Sequence, residues 1–249
     1  MKRVAALYDI HGNLPALEAV LADVRRIGVD QIIVGGDVLP GPMPRETLAC
    51  LLALDIPVQF IQGNGDRVVR EQMAGRESAD VPEPFRESIR WNAAQLLPED
   101  ARVLANWPLT LRVAIEGVGD VFFCHATPRN DLEIFTRLTP DDRLAPVFAG
   151  CGAPLAICGH THMQFDRMAG QTRIVNAGSV GMPFQDPGAY WLLLGPGVQL
   201  QRTPYDLASA ADRVRSTGYP GAEPFATGHI LQPPAEAMMV EMFEQAALK

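Results

Sequence analysis

The tetrapeptide Gly159-His160-Thr161-His162 follows directly on the apolar run Pro154-Leu155-Ala156-Ile157-Cys158. Two histidines spaced i and i+2 cannot share one face of a helix, but in an extended segment they point the same way. A buried strand ending in this tetrapeptide therefore delivers two imidazoles to one small volume, where a metal ion could take them. Other ligand types recur in the same setting. Asp9 and His11 follow the apolar run Val4 to Tyr8, Asp37 follows Ile32-Ile33-Val34, Asn64 follows Val58 to Ile61, and His125 follows Val121 to Cys124. Four of the five histidines fall in this set, and the fifth, His229, lies in a Pro/Gly-rich tail and reads as a bystander.

Open α/β sheets bind ligands in the crevice beyond the carboxyl ends of their strands. If the runs are neighbouring strands, Asp9, His11, Asp37, Asn64, His125, His160 and His162 converge there. These are too many ligands for one ion and suit two, with one carboxylate between them. Imidazole, carboxylate and amide without thiolate fit manganese, iron, zinc or similar ions. Two ions about 3.5–4 Å apart can clamp the attacking and leaving oxygens of an in-line displacement at phosphorus. The competing reading is a single structural zinc, but such sites usually carry thiolates and close at four ligands.

The elements that must position these residues are legible as apolar runs and helical spacings. Val4 to Tyr8, Gln31 to Gly35 and Pro57 to Ile61 read as buried strands. Between the first two, Leu17, Val20, Leu21 and Val24 recur at helical spacing after Asn13, an expected N-cap, and Gly28 ends the helix. A second helix is expected over Arg45 to Leu54. Strand, helix, strand, helix, strand is the pattern of a mostly parallel sheet covered by helices. Residues 67–108 break it and read as a helical insertion, in the position of a lid. Two strands joined at Glu116-Gly117-Val118-Gly119 follow, then a helix start at Thr139-Pro140-Asp141-Asp142. Ala189 to Leu194 and Val198 to Arg202 read as a closing hairpin. Beyond Tyr205 the sequence predicts one short helix, Leu207 to Ser216, and a loosely wrapped tail without chemistry.

Asp9-Ile10-His11, Gly36-Asp37, Gly63-Asn64-Gly65-Asp66, His125 and Gly159-His160-Thr161-His162 resemble, in order, the motifs of the calcineurin-like metallophosphoesterases. The resemblance runs from about Val4 to about Tyr190 and includes Asn176-Ala177-Gly178-Ser179-Val180-Gly181, similar to a segment of small bacterial members. It implies an α/β fold, a four-layer αββα sandwich of two mixed β-sheets, here one domain over 1–249 with the insertion at 67–108 and a tail from about 205. It also implies a ligand assignment: Asp9, His11 and His162 on one metal, Asn64, His125 and His160 on the other, Asp37 bridging. The implied nucleophile is a hydroxide bridging two divalent ions, manganese first and iron, zinc, nickel or magnesium as alternatives, with Asn64 and His125 stabilising charge.

One position departs from the family pattern. Many members carry a histidine directly after the asparagine, where it protonates or stabilises the leaving oxygen, and here Gly65 takes that place. General-acid help is typically worth ~10²–10⁴-fold, so poor leaving groups should react slowly. That favours a phosphodiesterase over a phosphomonoesterase acting on phosphoproteins or nucleotides. A protein-binding scaffold with a vestigial site is the remaining reading, and the complete ligand set speaks against it. Asp66 would then be left to cap a helix, and Arg129 is a candidate for gripping a substrate phosphate.

The bulk numbers bound the rest. The chain of 249 residues carries a net charge of -8, and a pI near 5.1 argues against a general nucleic-acid surface. The expected partner is a phosphorylated small molecule or phosphoprotein. Four cysteines at no scaffold or zinc-finger spacing read as buried free thiols in a reducing compartment. With no signal segment or membrane span in the sequence, a cytoplasmic location is expected.

Overall fold

The computed structural model describes residues 2–248. Its strands are β1 (Val4–Leu7), β2 (Gln31–Val34), β3 (Val58–Phe60), β4 (Thr110–Ile115), β5 (Gly119–Cys124), β6 (Leu155–Cys158), β7 (Phe165–Ala169), β8 (Thr172–Asn176), β9 (Ala189–Leu194) and β10 (Val198–Thr203). They form two five-stranded sheets, ordered β10-β9-β1-β2-β3 and β4-β5-β6-β8-β7. Both are mixed. The first pairs β1, β2 and β3 in parallel and adds β9 antiparallel to β1, while the second runs β5, β6 and β8 in parallel.

The two sheets bury their facing sides against one another. Val4, Ala6, Tyr8 and Ile33 from the first sheet pack with Val121, Phe123, Leu155 and Ile157 from the second. Tyr8 crosses this layer and donates its hydroxyl hydrogen to the Ile157 carbonyl at 3.2 Å. The outer side of the first sheet carries α1 (Leu14–Ile27) and α2 (Pro44–Leu52), with Leu17, Val20, Leu21 and Val24 of α1 in the apolar stripe. Asn13 caps α1 by accepting the Ala16 N–H at 3.2 Å. The outer side of the second sheet is covered by α6 (Asp141–Phe148). The order helix, sheet, sheet, helix is the four-layer sandwich that the resemblance implied.

Between β3 and β4 lie three helices, α3 (Asn64–Met73), α4 (Glu83–Gln95) and α5 (Pro98–Ala105). The first starts at Asn64 itself, so a candidate ligand is the first residue of that helix. Strand β7 was not foreseen. It is an edge strand in which buried residues alternate with more accessible ones, and its sequence FDRMA lacks an apolar run.

The tail differs most from expectation. After α7 (Leu207–Arg215) come α8 (Ala222–Phe225), a π-helical turn over Ala226–Leu231, and α9 (Glu236–Glu244). Phe225, Ala226 and Ile230 are buried in the core beside α7, so the segment docks rather than wraps loosely. All four cysteines are free, three of them buried. Among the described residues no helix is long and apolar enough to cross a membrane.

Candidate metal centre

The seven ligand-type residues expected from the sequence meet where the strands of both sheets end. Asp9 and His11 come from the loop after β1, Asp37 from the loop after β2, Asn64 from the first residue of α3, His125 from just after β5, and His160 and His162 from the loop after β6. Potential ligand atoms of Asp9, His11 and His162 lie within 4.8 Å of one another, and so do those of Asp37, His125 and His160. Asp37 stands between the two groups, with Oδ2 3.6 Å from His11 Nε2 and Oδ1 3.6 Å from His125 Nε2. The side-chain amide of Asn64 lies 3.1 Å from His125 Nε2, and its surroundings place the NH2 there, within reach of His160 Nδ1 at 3.0 Å as well. His160 and His162, adjacent but one in sequence, fall in different groups.

That division has a backbone cause. The two histidines lie beyond the end of β6 and do not alternate as strand residues would. Asp9, His11, Asp37, His160 and His162 all have positive φ, between 47° and 67°. Non-glycine residues rarely occupy this region, and such strain concentrates at functional sites. Each left-handed residue turns its loop sharply, which lets Asp9 and His11 serve one group while the chain still exits into α1.

The four imidazoles share one arrangement. His125 Nδ1 is 3.0 Å from the Gly35 carbonyl, His162 Nδ1 is 2.7 Å from that of Met182, and His11 Nδ1 is 3.2 Å from that of Pro40. His160 uses its other nitrogen, with Nε2 3.2 Å from the Leu132 carbonyl. A carbonyl can only accept, so each ring donates there and presents its second nitrogen as a lone pair to the centre, the outer contact that metal-binding histidines make.

The Asn64 amide can donate to His125 Nε2 and His160 Nδ1, but around Asp9 and His11 the only proton at hand is one on His162. His11 Nε2 and His162 Nε2 face each other at 3.2 Å. Asp9 Oδ1 is buried without a hydrogen-bond partner, although His162, His125 and His11 nitrogens lie 3.3, 3.9 and 4.0 Å from it. Buried acceptors crowded against acceptors are costly unless a cation sits among them. The residues present therefore fit divalent metal ions.

The electrostatics agree. Burial, reinforced by neighbouring imidazoles, pushes His11 and His160 down to about 3, so both are neutral. Burial alone would raise the Asp9 carboxyl, but His162 beside it outweighs burial and holds Asp9 well below its ordinary value, while Asp9 in turn raises His162 although burial opposes this. Asp37 is raised, by burial first and by Asp9 next. Two close carboxylates cannot both ionise cheaply without cations between them.

A profile of the calcineurin-like phosphoesterase superfamily domain matches residues 2–194. The chain belongs to this superfamily. An uncharacterised protein of Methanocaldococcus jannaschii is 28% identical over 232 residues, covering 85% of this chain and 91% of the relative. A metallophosphoesterase from Sphaerobacter thermophilus superposes with a TM-score of 0.70 at 28% identity, over 91% of this chain and 97% of its own. A hypothetical protein from Pyrococcus horikoshii shares the fold with a TM-score of 0.78 at 21% identity, over 94% and 100%. Metal-dependent phosphoester hydrolysis is thus the chemistry of a calcineurin-like centre assembled from these residues.

Several residues hold the calcineurin-like centre in place without joining it. Asp66, expected to do no more than cap a helix, is fully buried and accepts the backbone N–H groups of Asp37, Gly63 and Leu39 at 2.8, 3.0 and 3.1 Å. Asn176 donates to the Gly159 carbonyl at 2.7 Å, and the Ser179 hydroxyl donates to the Asp9 carbonyl at 2.7 Å. The segment that resembled the family is therefore a brace across both sheets. At Gly36, with φ +92°, a Cβ would lie 2.8 Å from His125 Nδ1, so only glycine lets that imidazole pack there.

Gly65 is equally constrained. A Cβ at this position would stand 2.2 Å from the Leu39 carbonyl oxygen and 2.8 Å from Pro40 Cδ. The loop after β2 occupies the space that a side chain at 65 would need. Arg129 does not line the cleft beside the centre. Its guanidinium pairs with Glu133, and the residue borders a separate small cavity behind His125. His229, taken for a bystander, does line the cleft.

Proposed function

We propose that this chain is a two-metal phosphodiesterase. The observation that carries the reading is the pair of ligand groups with Asp37 between them, combined with the closed space over Gly65. Asp9, His11 and His162 hold one ion, Asn64, His125 and His160 the other, and Asp37 contacts both. When bound, the ions supply an activated water and Lewis-acid neutralisation of the phosphoryl oxygens. Manganese is the first choice among ions that suit this donor set.

The protein's own groups do the remaining work. Carbonyl-anchored imidazoles keep their lone pairs aimed inward, and the Asn64 amide, at the start of α3, lies where phosphoryl charge develops. No imidazole stands after Asn64 to hand a proton to the leaving oxygen. Esters whose alcohols leave as stable anions are therefore the preferred substrates, and a diester spares the site the second negative charge of a monoester. A role for Arg129 on the phosphate requires its pair with Glu133 to open. The substrate belongs to the phosphorylated small molecules, and the buried free thiols suit a cytoplasmic setting.

The test compares bis(p-nitrophenyl) phosphate with p-nitrophenyl phosphate under Mn²⁺. The diester should show the larger kcat/KM. A larger value for the monoester reverses the preference and makes the chain a phosphomonoesterase. Failure to bind or titrate any divalent ion would instead support a non-catalytic scaffold.

A further inference from the structure

A cleft of about 440 Å³ opens outward from His11, Asp37, Asn64 and Gly65. Its walls beyond the centre are apolar and come from two segments that the sequence reading left without chemistry. Val81, Phe85 and Ile89 face it from the segment between β3 and β4, Tyr219 and Phe225 from the tail, and Leu132 from the loop after β5. Two of these are exposed at the mouth, Phe85 at 61% and Leu132 at 40%. Singly exposed apolar residues are common, but these two continue the apolar lining of one cleft out to its mouth.

The charges in the cleft narrow what that is. Among the described residues no lysine or arginine lines it, and outside the centre its one carboxylate is Asp80, whose Oδ2 takes the Arg67 Nη1 hydrogen at 3.0 Å. A substrate with further phosphates would meet no cation there and would meet Asp80. One polar group lacks a partner: His229 Nδ1 is buried without a hydrogen bond. Burial pushes this imidazole down to about 4, which keeps it neutral near pH 7.

We propose that the cleft receives the alcohol part of the phosphoester, and that this part is uncharged, apolar and ring-bearing, lying against the neutral imidazole of His229. The volume has room for one or two rings, about the lower range of small-molecule sites. The proposal rests on the phosphoesterase reading of the inner end. It also agrees with Gly65, because phenol-like alcohols depart without a proton donor.

Binding of non-hydrolysable phosphonates to the metal-loaded protein tests it by calorimetry, without turnover. Benzylphosphonate should bind about tenfold or more tightly than methylphosphonate, as burial of one ring implies, and more tightly than methylenediphosphonate. Phe85→Ser and Leu132→Ser, at exposed positions where folding is checked by thermal melting, should each shrink the benzyl-to-methyl ratio, and together bring it towards one. Equal affinity for benzyl and methyl compounds, tighter binding of the diphosphonate, or no binding of any of them overturns the proposal. Selective benzyl binding without hydrolysis of any ester would sink the phosphoesterase reading and leave the cleft assignment standing. Hydrolysis without benzyl selectivity would do the reverse.

Discussion

The carboxylates of Asp37 and Asp66 each hold the backbone of the other's segment. Asp66 Oδ2 accepts the Asp37 backbone N–H at 2.8 Å, while Asp37 Oδ1 accepts the Gly65 N–H at 2.7 Å. The loop after β2 and the start of α3 thereby fix each other, and with them the carboxylate that stands between the two ligand groups.

Asp66→Ala should consequently do more than loosen a helix end. It strands three buried N–H groups, each at a cost of about 1–3 kcal/mol, so chemical denaturation should report a loss of about 3 kcal/mol or more. Asp66→Asn keeps the shape but has one oxygen for three donors. It should fold and bind metal about 10–100-fold more weakly, the usual effect of losing an outer support. Unchanged metal affinity in Asp66→Asn would mean that the Asp37 loop holds its position unaided.

Gly65→His offers a second check, because it writes the commoner family residue into this chain. With Leu39 O only 2.2 Å from the new Cβ, the loop must move, and overpacking of this kind typically costs about 1–3 kcal/mol. Thermal melting should show the loss, and hydrolysis of p-nitrophenyl phosphate should not rise. A faster monoesterase with an unchanged melting temperature would show that position 65 has room for an acid.

These two cases also mark how far the sequence could be read. Asp9, Asp37, Asn64, His125, His160 and His162 each follow an apolar run that the sequence shows as a strand, and that pattern alone places these candidate ligands together. The closure over Gly65 could not be read this way, because Leu39 lies in the loop after β2 and Gly65 in the first turn of α3, and they meet only once β2 and β3 pair. Nor could the left-handed backbone at Asp9, His11, Asp37, His160 and His162, which tertiary contacts impose against local preference. The tail departs from the sequence expectation for a related reason. Its Pro and Gly residues suggested loose coil, whereas buried Phe225, Ala226 and Ile230 anchor it and bring His229 to the cleft.

His229 makes a prediction about pH. Its folded pKa, about 4, is depressed from the ordinary 6.5 by burial first and His162 next. Between those values the unfolded chain binds a proton that the folded chain refuses, so this group's contribution is intact above about 6.5 and lost as pH falls towards 4. His229→Leu removes that loss and the orphaned Nδ1. Urea denaturation of both proteins from pH 7.5 to 4.5 should give the variant a relative gain that grows as pH falls. A constant difference across the range would place the proton elsewhere.

The division of His160 from His162 yields the last prediction, in metal stoichiometry. Asp9, His11 and His162 share one set of close ligand atoms, and Asp37, His125 and His160 share the other. If each set holds one ion, His162→Ala and His160→Ala should each retain about one tightly bound equivalent of Mn²⁺ but lose different ones. Spectra of cobalt-substituted protein would tell the two apart, since both sets have two imidazoles and one carboxylate but only the set of His125 and His160 has the Asn64 amide beside it. Asp37→Asn weakens both sets, so its titration should show two weakened sites. Binding at 1,000 times Kd stabilises a fold by about 4.1 kcal/mol per site, so thermal melts with added metal should rank wild type first, the two histidine variants together, and Asp37→Asn last. If either histidine variant lost both ions at once, the two groups would form a single cooperative site, and His160 and His162 would be partners on it after all.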